Sequence, residues 1–242
     1  MNTIVLIPSR LGSTRLPNKA LAEIGGQPMI VRVVRQALAA DIGPVVVATA
    51  DEAIATAVRP LGVKAILTDP LLPSGSDRVH AALEIIDPEE SFDRVVNLQG
   101  DLPLFAPNDL QRVVSTLDDT PFDVGTLVAP IENERETVAN SIVKVACAFP
   151  ADIRVARALY FSRAPIPWGA GPLWHHVGVY AWRRAALRRF VALSPSPLEQ
   201  RESLEQLRVL EAGMSIGCAA IEQAPLGVDT PDDLARVRAH FV

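Results

Sequence analysis

The 242-residue chain is 49% hydrophobic, with a formal net charge of −5 and a pI near 5.4. That balance excludes the basic field a general nucleic-acid or membrane-surface binder needs. The length suits one large core, or one domain carrying an insertion. Cys147 and Cys218 sit in the apolar, strand-like runs VKVACAF and SIGCAAI. They read as small core residues rather than as a disulfide or a metal site. The N-terminus lacks a cationic segment followed by a long apolar stretch, and no apolar run approaches the ~20 residues of a membrane span. A reduced, cytoplasmic enzyme is the expectation.

Ile4 to Ile7 is a short apolar run that predicts a buried strand, ended by Pro8. The loop after it carries Ser9, Gly12, Ser13 and Thr14 with the cations Arg10, Arg15 and Lys19. Small residues let backbone N–H groups approach a ligand, and ligands of open α/β sheets bind at the C-terminal ends of strands. Amides and cations together suit a polyphosphate; a solvated basic loop is the plainer alternative. Ile24-Gly25-Gly26-Gln27 predicts a turn. Pro28 opens a helix whose buried face is Ile30, Val33, Val34, Ala37 and Leu38. Val45 to Ala48 predicts a second strand, followed by Thr49 and Asp51 at its C-terminal end. Asp51 can cap a helix to Leu61. Val63 to Leu67 predicts a third strand. Apolar strands alternating with helices predict an α/β fold with a doubly wound, mostly parallel sheet.

The loop DPLLPSGSDR feeds a helix from about Asp77 to Asp87. Ser74 or Ser76 can cap that helix, or Ser74, Gly75 and Arg78 can meet a ligand at the same sheet edge. The next predicted strand, Arg94 to Leu98, ends in Gln99-Gly100-Asp101-Leu102-Pro103. A carboxylate held between glycine and proline at a strand end suits Mg²⁺, which takes oxygen ligands; a turn aspartate is the structural alternative. Pro107 starts a helix to about Leu117. Further on, Asp123 to Ala129, Ile142 to Ala148 and Trp174 to Trp182 are strand-like. Neighbours in a strand point to opposite faces, so at most one of His175 and His176 faces a given pocket. Arg184 to Leu193 predicts a helix. Pro197 to Gly213 predicts a single helix with a Leu204, Leu207 and Leu210 stripe, which leaves Glu202, Glu205 and Gln206 on a solvated face and Arg201 spaced to pair with Glu205. Thr230 and Pro231 begin the last helix, to Phe241, and leave Asp229 without a capping role. One α/β domain over residues 1–242, with an inserted subregion at about 131–210, is the expected organisation.

Walker A, GxGxxG and Gly-x-Ser-x-Gly patterns are all absent, so P-loop ATPases, nicotinamide enzymes and α/β-hydrolases lose support. A polyphosphate loop with cations and separated strand-end aspartates fits nucleotidyl transfer. In that reaction an acceptor oxygen attacks the α-phosphorus of a nucleoside triphosphate and pyrophosphate leaves. Positioning and electrostatics supply most of the catalysis.

The segments IPSRLGSTRLPNK, SGSDR, NLQGDLP, YFSRAPIPW, HHVGVY, PSPLEQRESLEQLRVLEAG and GVDTPDDL occur in order along nearly the whole chain. Together they resemble the 3-deoxy-manno-octulosonate (Kdo) cytidylyltransferases. The resemblance implies transfer of CMP from CTP to Kdo for lipopolysaccharide biosynthesis, with Mg²⁺, by a cytoplasmic homodimer. It also implies residue roles. Arg10, Ser13, Arg15 and Lys19, with Ser9 and Gly12, match the triphosphate loop. Ser74, Gly75 and Arg78 match the cytosine and ribose segment, and Thr49 and Asp51 join the nucleotide site. Asp101 and Asp229 match the metal ligands. Gln99, Arg163, His176, Tyr180, Glu205 and Gln206 match the sugar-acid pocket. Three departures accompany the match: Leu102 stands where the family often has glutamate, Pro73 where many members have glutamine, and the Trp168–Trp174 segment is short. A cytidylyltransferase for a related sugar acid, or a CTP-binding protein without turnover, are the rival readings.

Overall fold

All seven residues of the Thr3–Ser9 strand are buried, as a near-continuous apolar run dictates when both faces of a parallel strand are covered. The computed structural model describes residues 1–13, 15–151 and 153–241; Thr14 of the basic loop lies outside them. The chain divides into two units, Met1–Gln111 with Pro225–Val242, and Arg112–Ala224. The second unit contains the 131–210 stretch singled out from the sequence.

In the first unit four parallel strands lie in the order Lys64–Leu67, Val45–Thr49, Thr3–Ser9 and Arg94–Asn97. The helices Met29–Ala39, Glu52–Val58 and Gly75–Ile86 pack against these strands. Pro8 does not end its strand. Pairing with Arg94–Asn97 has already stopped at Leu6, so the N–H that proline lacks is not required on that side. The Met29–Ala39 helix buries Ile30, Val33, Val34 and Ala37, but Leu38 is exposed. Pro28 stands just before that helix and closes a short hairpin with Glu23–Ile24. The returning C-terminal segment supplies Val228, Leu234 and Val237, which share a core cluster with Ile24 and Met29. Its helix, Pro231–Arg238, begins with a capping box in which Thr230 and Asp233 satisfy each other's backbone N–H groups.

The second unit has a mixed sheet. Trp174–Arg183 runs antiparallel to Val124–Pro130, which pairs in parallel with Ile216–Ala220, and Val155–Arg157 lies antiparallel to Ile216–Ala220. Lys144–Ala146 pairs with Tyr160–Ser162 and meets the long strand at His175. A bulge between Val177 and Tyr180 shifts the register of the long strand.

The single helix expected over Pro197–Gly213 is instead two, Pro197–Glu202 and Gln206–Glu211. Ser203 adopts the left-handed conformation (φ 55°, ψ 49°) and lets the Ser203 and Leu204 N–H groups close on the Glu199 carbonyl. The break buries Leu204, Leu207 and Gln206 together, and it removes the helical i, i+4 spacing expected for Arg201 and Glu205. Glu202 is likewise not part of a solvated face: its carboxylate accepts hydrogen bonds from Ser162 Oγ at 2.8 Å and from the Arg163 N–H at 3.0 Å.

Candidate active site

The strand ends of the first unit form a cleft of about 370 Å³ lined by Ser9, Arg10, Gly12, Ser13, Arg15, Lys19, Ser74, Gly75, Arg78, Gln99, Asp101 and Asp229. Each arrives by a local device. The basic loop is tethered by the Leu11 N–H, which donates to Asp51 Oδ2 at 2.9 Å. Lys19 follows Asn18, whose left-handed conformation turns the chain into a short 3₁₀ helix. Gly100 allows the Asp101 loop to lie against the first strand, because a Cβ there would stand 3.0 Å from the Pro8 carbonyl. The Val228 N–H donates to the Asp101 carbonyl at 3.0 Å, fastening the Asp229 segment to the Asp101 loop. Thus residues far apart in sequence converge on one point.

At that point Lys19 Nζ donates to Asp101 Oδ2 at 2.8 Å and to Asp229 Oδ1 at 2.9 Å. Arg15 reaches the other oxygen of Asp229 at 3.3 Å. Burial works against the Lys19 ammonium, but the two carboxylates outweigh it and hold its pKa above the usual lysine value. Arg78 is buried and donates to Thr68 Oγ1 at 2.5 Å and to the Asp69 carbonyl at 3.2 Å. Burial and the charge of Arg10 lower its pKa, against the pull of Asp51 and Asp69. Ser74 caps the Gly75–Ile86 helix by accepting from the Asp77 N–H at 3.2 Å, so it is both a cap and a cleft residue.

Thr49 and Asp51 do not line the cleft. Thr49 is fully buried, its carbonyl accepting from Thr68, while Asp51 serves as the anchor of the basic loop. Asp51 also makes no side-chain cap to the helix it precedes. Leu72 contributes to the lining and was not singled out from the sequence, and Pro73, one of the three departures, lines it too. Gln99 lines this cleft and donates to Asn97 Oδ1 at 3.1 Å.

The remaining sugar-acid candidates belong to the second unit. His176 is buried between Phe161 and Tyr180, with ring centroids at 4.9 and 5.6 Å. Its Nε2 lies 3.1 Å from Thr126 Oγ1, and its Nδ1 lies 3.4 Å from Gln206 Nε2. Burial, reinforced by neighbouring His175, pushes its pKa down to about 3, so the ring is neutral. Tyr180 is pushed the other way, well above the usual tyrosine value, by burial first and then by the charge of Glu205. His175, one residue away on the opposite face, is only half-buried and sits beside Lys144.

Arg163 is committed to backbone carbonyls more than the sequence implied. Nε donates to Glu202 O at 2.8 Å, one terminal nitrogen to Asn140 O at 2.9 Å and the other to Ser203 O at 3.3 Å. A guanidinium has five N–H donors, so the two terminal nitrogens each keep one for a ligand. Lys144, whose side chain is buried, donates to the Ala139 and Arg163 carbonyls at 2.7 and 3.1 Å and holds the same segment. Lys144, Thr126 and Glu202 were invisible as supporting residues in the sequence, because each acts through contacts between distant segments.

A parallel α/β unit with a cationic, carboxylate-bearing cleft at its strand ends defines a nucleotidyltransferase-like protein. Comparison with known proteins sharpens the class. Residues 4–216 match the family described as Cytidylyltransferase. A 3-deoxy-manno-octulosonate cytidylyltransferase of Rhodopseudomonas palustris (strain HaA2) is 54% identical over 236 residues, covering 98% of this chain and 96% of the relative. One from Xanthobacter autotrophicus (strain ATCC BAA-1158 / Py2) is 56% identical, covering 98% and 92%. Among solved structures, CMP:2-keto-3-deoxy-manno-octonic acid synthetase complexed with CTP shares 38% identity with a TM-score of 0.90, over 99% of this chain and 98% of that one. The chain belongs to the 3-deoxy-manno-octulosonate cytidylyltransferase family.

Proposed function

We propose that the protein transfers CMP from CTP to Kdo, releasing pyrophosphate and activating the sugar acid for lipopolysaccharide assembly. The observation that carries this reading is the convergence of Lys19, Asp101 and Asp229 in a cleft that also holds Arg10, Arg15 and Arg78. The acceptor hydroxyl attacks the α-phosphorus. A new oxygen–phosphorus bond forms, the bond to pyrophosphate breaks, and the hydroxyl proton passes to solvent. Arg10, Arg15 and Lys19 carry the charge of the triphosphate and stabilise the leaving pyrophosphate. Ser74 and Gly75, at the start of a helix, offer the positive end of its dipole to the nucleotide.

Asp101 and Asp229 fit Mg²⁺. Both are hard oxygen donors, and the Lys19 ammonium between them demonstrates that both carboxylates turn toward one cation. When bound, the metal supplies additional positive charge to the phosphates. Lys19 is then free to act on the triphosphate. Arg163, His176, Tyr180, Glu205 and Gln206 form the second unit's acceptor site in this reading. A homodimer is supported by the fully exposed Trp168 and by exposed Leu159. A cytoplasmic setting accords with the CTP requirement; among the described residues no helix is long and apolar enough to cross a membrane.

The test is pyrophosphate release with CTP and Mg²⁺ in the presence of Kdo, 8-amino-Kdo, N-acetylneuraminate or no acceptor. Release strictly dependent on Kdo is the expected result. Release with another acid only would move the specificity, and CTP binding without release for any acid would overturn the enzyme assignment.

A further inference from the structure

The hydrogen bonds around Thr126 favour one arrangement of protons. Its Oγ1 lies 3.1 Å from the Val177 carbonyl, 2.9 Å from the Val179 carbonyl and 3.1 Å from His176 Nε2. The register shift in the long strand turns both carbonyls onto this one hydroxyl. A threonine hydroxyl has one proton and carbonyls have none. Donated to a carbonyl, that proton leaves one carbonyl facing a bare hydroxyl oxygen, whereas donated to the ring it leaves two, so the contact with the ring is best made by His176 donating from Nε2. In the neutral imidazole Nδ1 is then a bare acceptor. Gln206 must face it with its NH₂ group, which points the amide oxygen, Oε1, away. No described residue hydrogen-bonds to that oxygen, and Gln206 retains 6% exposure.

We infer that Thr126 is a positioning residue that fixes the Nε2–H tautomer of His176 and thereby locks Gln206 as an obligatory hydrogen-bond acceptor for a hydroxyl of the sugar acid. This rests on the reading of Gln206 as part of the acceptor site. His176 has both ring nitrogens engaged by the protein, so it serves the acceptor site by holding Gln206 in place. Its burial and depressed pKa keep it from adding a second proton that would repel the Gln206 NH₂. Phe161 packs against it edge to face and Tyr180 packs against it at a tilt, which confines the imidazole. The chemical consequence is selection. A ligand group at this point must carry a proton to donate; a carbonyl, an ether or a carboxylate oxygen there would meet another acceptor and bind poorly.

Nitrogen-15 NMR of the full-length, histidine-labelled protein without substrate tests the lock directly. The wild type and Thr126→Ser should show His176 protonated at Nε2 only, whereas Thr126→Val should lose that single tautomer. In kinetics, Thr126→Val should raise KM for Kdo about tenfold, the size of one oriented hydrogen bond, with kcat and KM for CTP little changed. Thr126→Ser should restore the wild-type KM, and thermal melts identify any variant that has failed to fold. A wild-type ring protonated at Nδ1 overturns the inference whatever the kinetics. A Thr126→Val enzyme that changes tautomer yet keeps its KM overturns the link to substrate selection. A wild-type protein inactive with Kdo but showing the Nε2–H signal would instead sink the functional assignment and leave the lock standing.

Discussion

The two units solve binding problems in opposite ways. In the first unit the cleft is lined by charge, and its geometry depends on the loops after Thr3–Ser9, Lys64–Leu67 and Arg94–Asn97 and on the returning Asp229 segment. In the second unit the candidates His176, Tyr180 and Gln206 are buried and uncharged, and His176 is held between Thr126 and Gln206. Charge acts over distance and tolerates small errors of placement, so a cationic loop serves any triphosphate. A buried neutral hydrogen bond is directional and costly when unmade, so it suits discrimination between closely similar ligands.

The contrast predicts a graded series of effects. Lys19→Ala, Asp101→Asn and Asp229→Asn should each lower kcat by about 10²–10³, as removal of a preorganised electrostatic group does. Stopped-flow pyrophosphate release with Kdo saturating measures this, and circular dichroism should find the fold retained. Near-normal turnover in any of the three would place the charge chemistry elsewhere.

Asp51→Ala should act on binding rather than chemistry. It removes the charge-assisted anchor of the Leu11 N–H and should raise KM for CTP about tenfold with kcat nearly unchanged, because a loop that must be ordered by the nucleotide charges that cost to affinity. An unchanged KM would mean that the basic loop is already held by other contacts.

Acidification should affect the second unit first. His176 titrates near 6.5 in the unfolded chain and at about 3 in the folded protein. Below pH 6.5 the unfolded state gains a proton that the folded state refuses, so stability is full above that pH and declines as the pH falls toward 3. The cost should reach about 2 kcal/mol at pH 5, read from urea denaturation at pH 5 and pH 7. His176→Gln should flatten this dependence. An equally steep dependence in the variant would assign it to other groups.

The smallest effect is expected at the helix break. Ser203 bears a side chain in the left-handed region (φ 55°), which costs a non-glycine residue about 1 kcal/mol. Ser203→Gly keeps the carbonyl that Arg163 uses and should raise the melting temperature by a few degrees, a shift of about 0.5–1 kcal/mol. A lowered melting temperature would show that the serine side chain contributes more than its backbone strain costs.

The sequence alone determined the alternation of apolar strands and helices, and with it the α/β class, because burial on both faces of a parallel strand demands a continuous apolar run. It also put Arg10, Arg15, Lys19 and Asp101 in loops that follow strands, since turn chemistry and the loops between elements are local properties of the chain, whereas Asp229 stands before the last helix and not at a strand end. Only the tertiary structure decided that Lys19 bridges Asp101 and Asp229, that Asp51 anchors a loop instead of capping a helix, and that the Pro197–Gly213 segment breaks at Ser203 and buries Gln206. The roles of Thr126, Lys144 and Glu202 were decided there too. Each depends on hydrogen bonds between segments tens of residues apart, and a buried polar group takes whichever partner the packed chain brings to it. Spacing along the sequence carries no record of that choice.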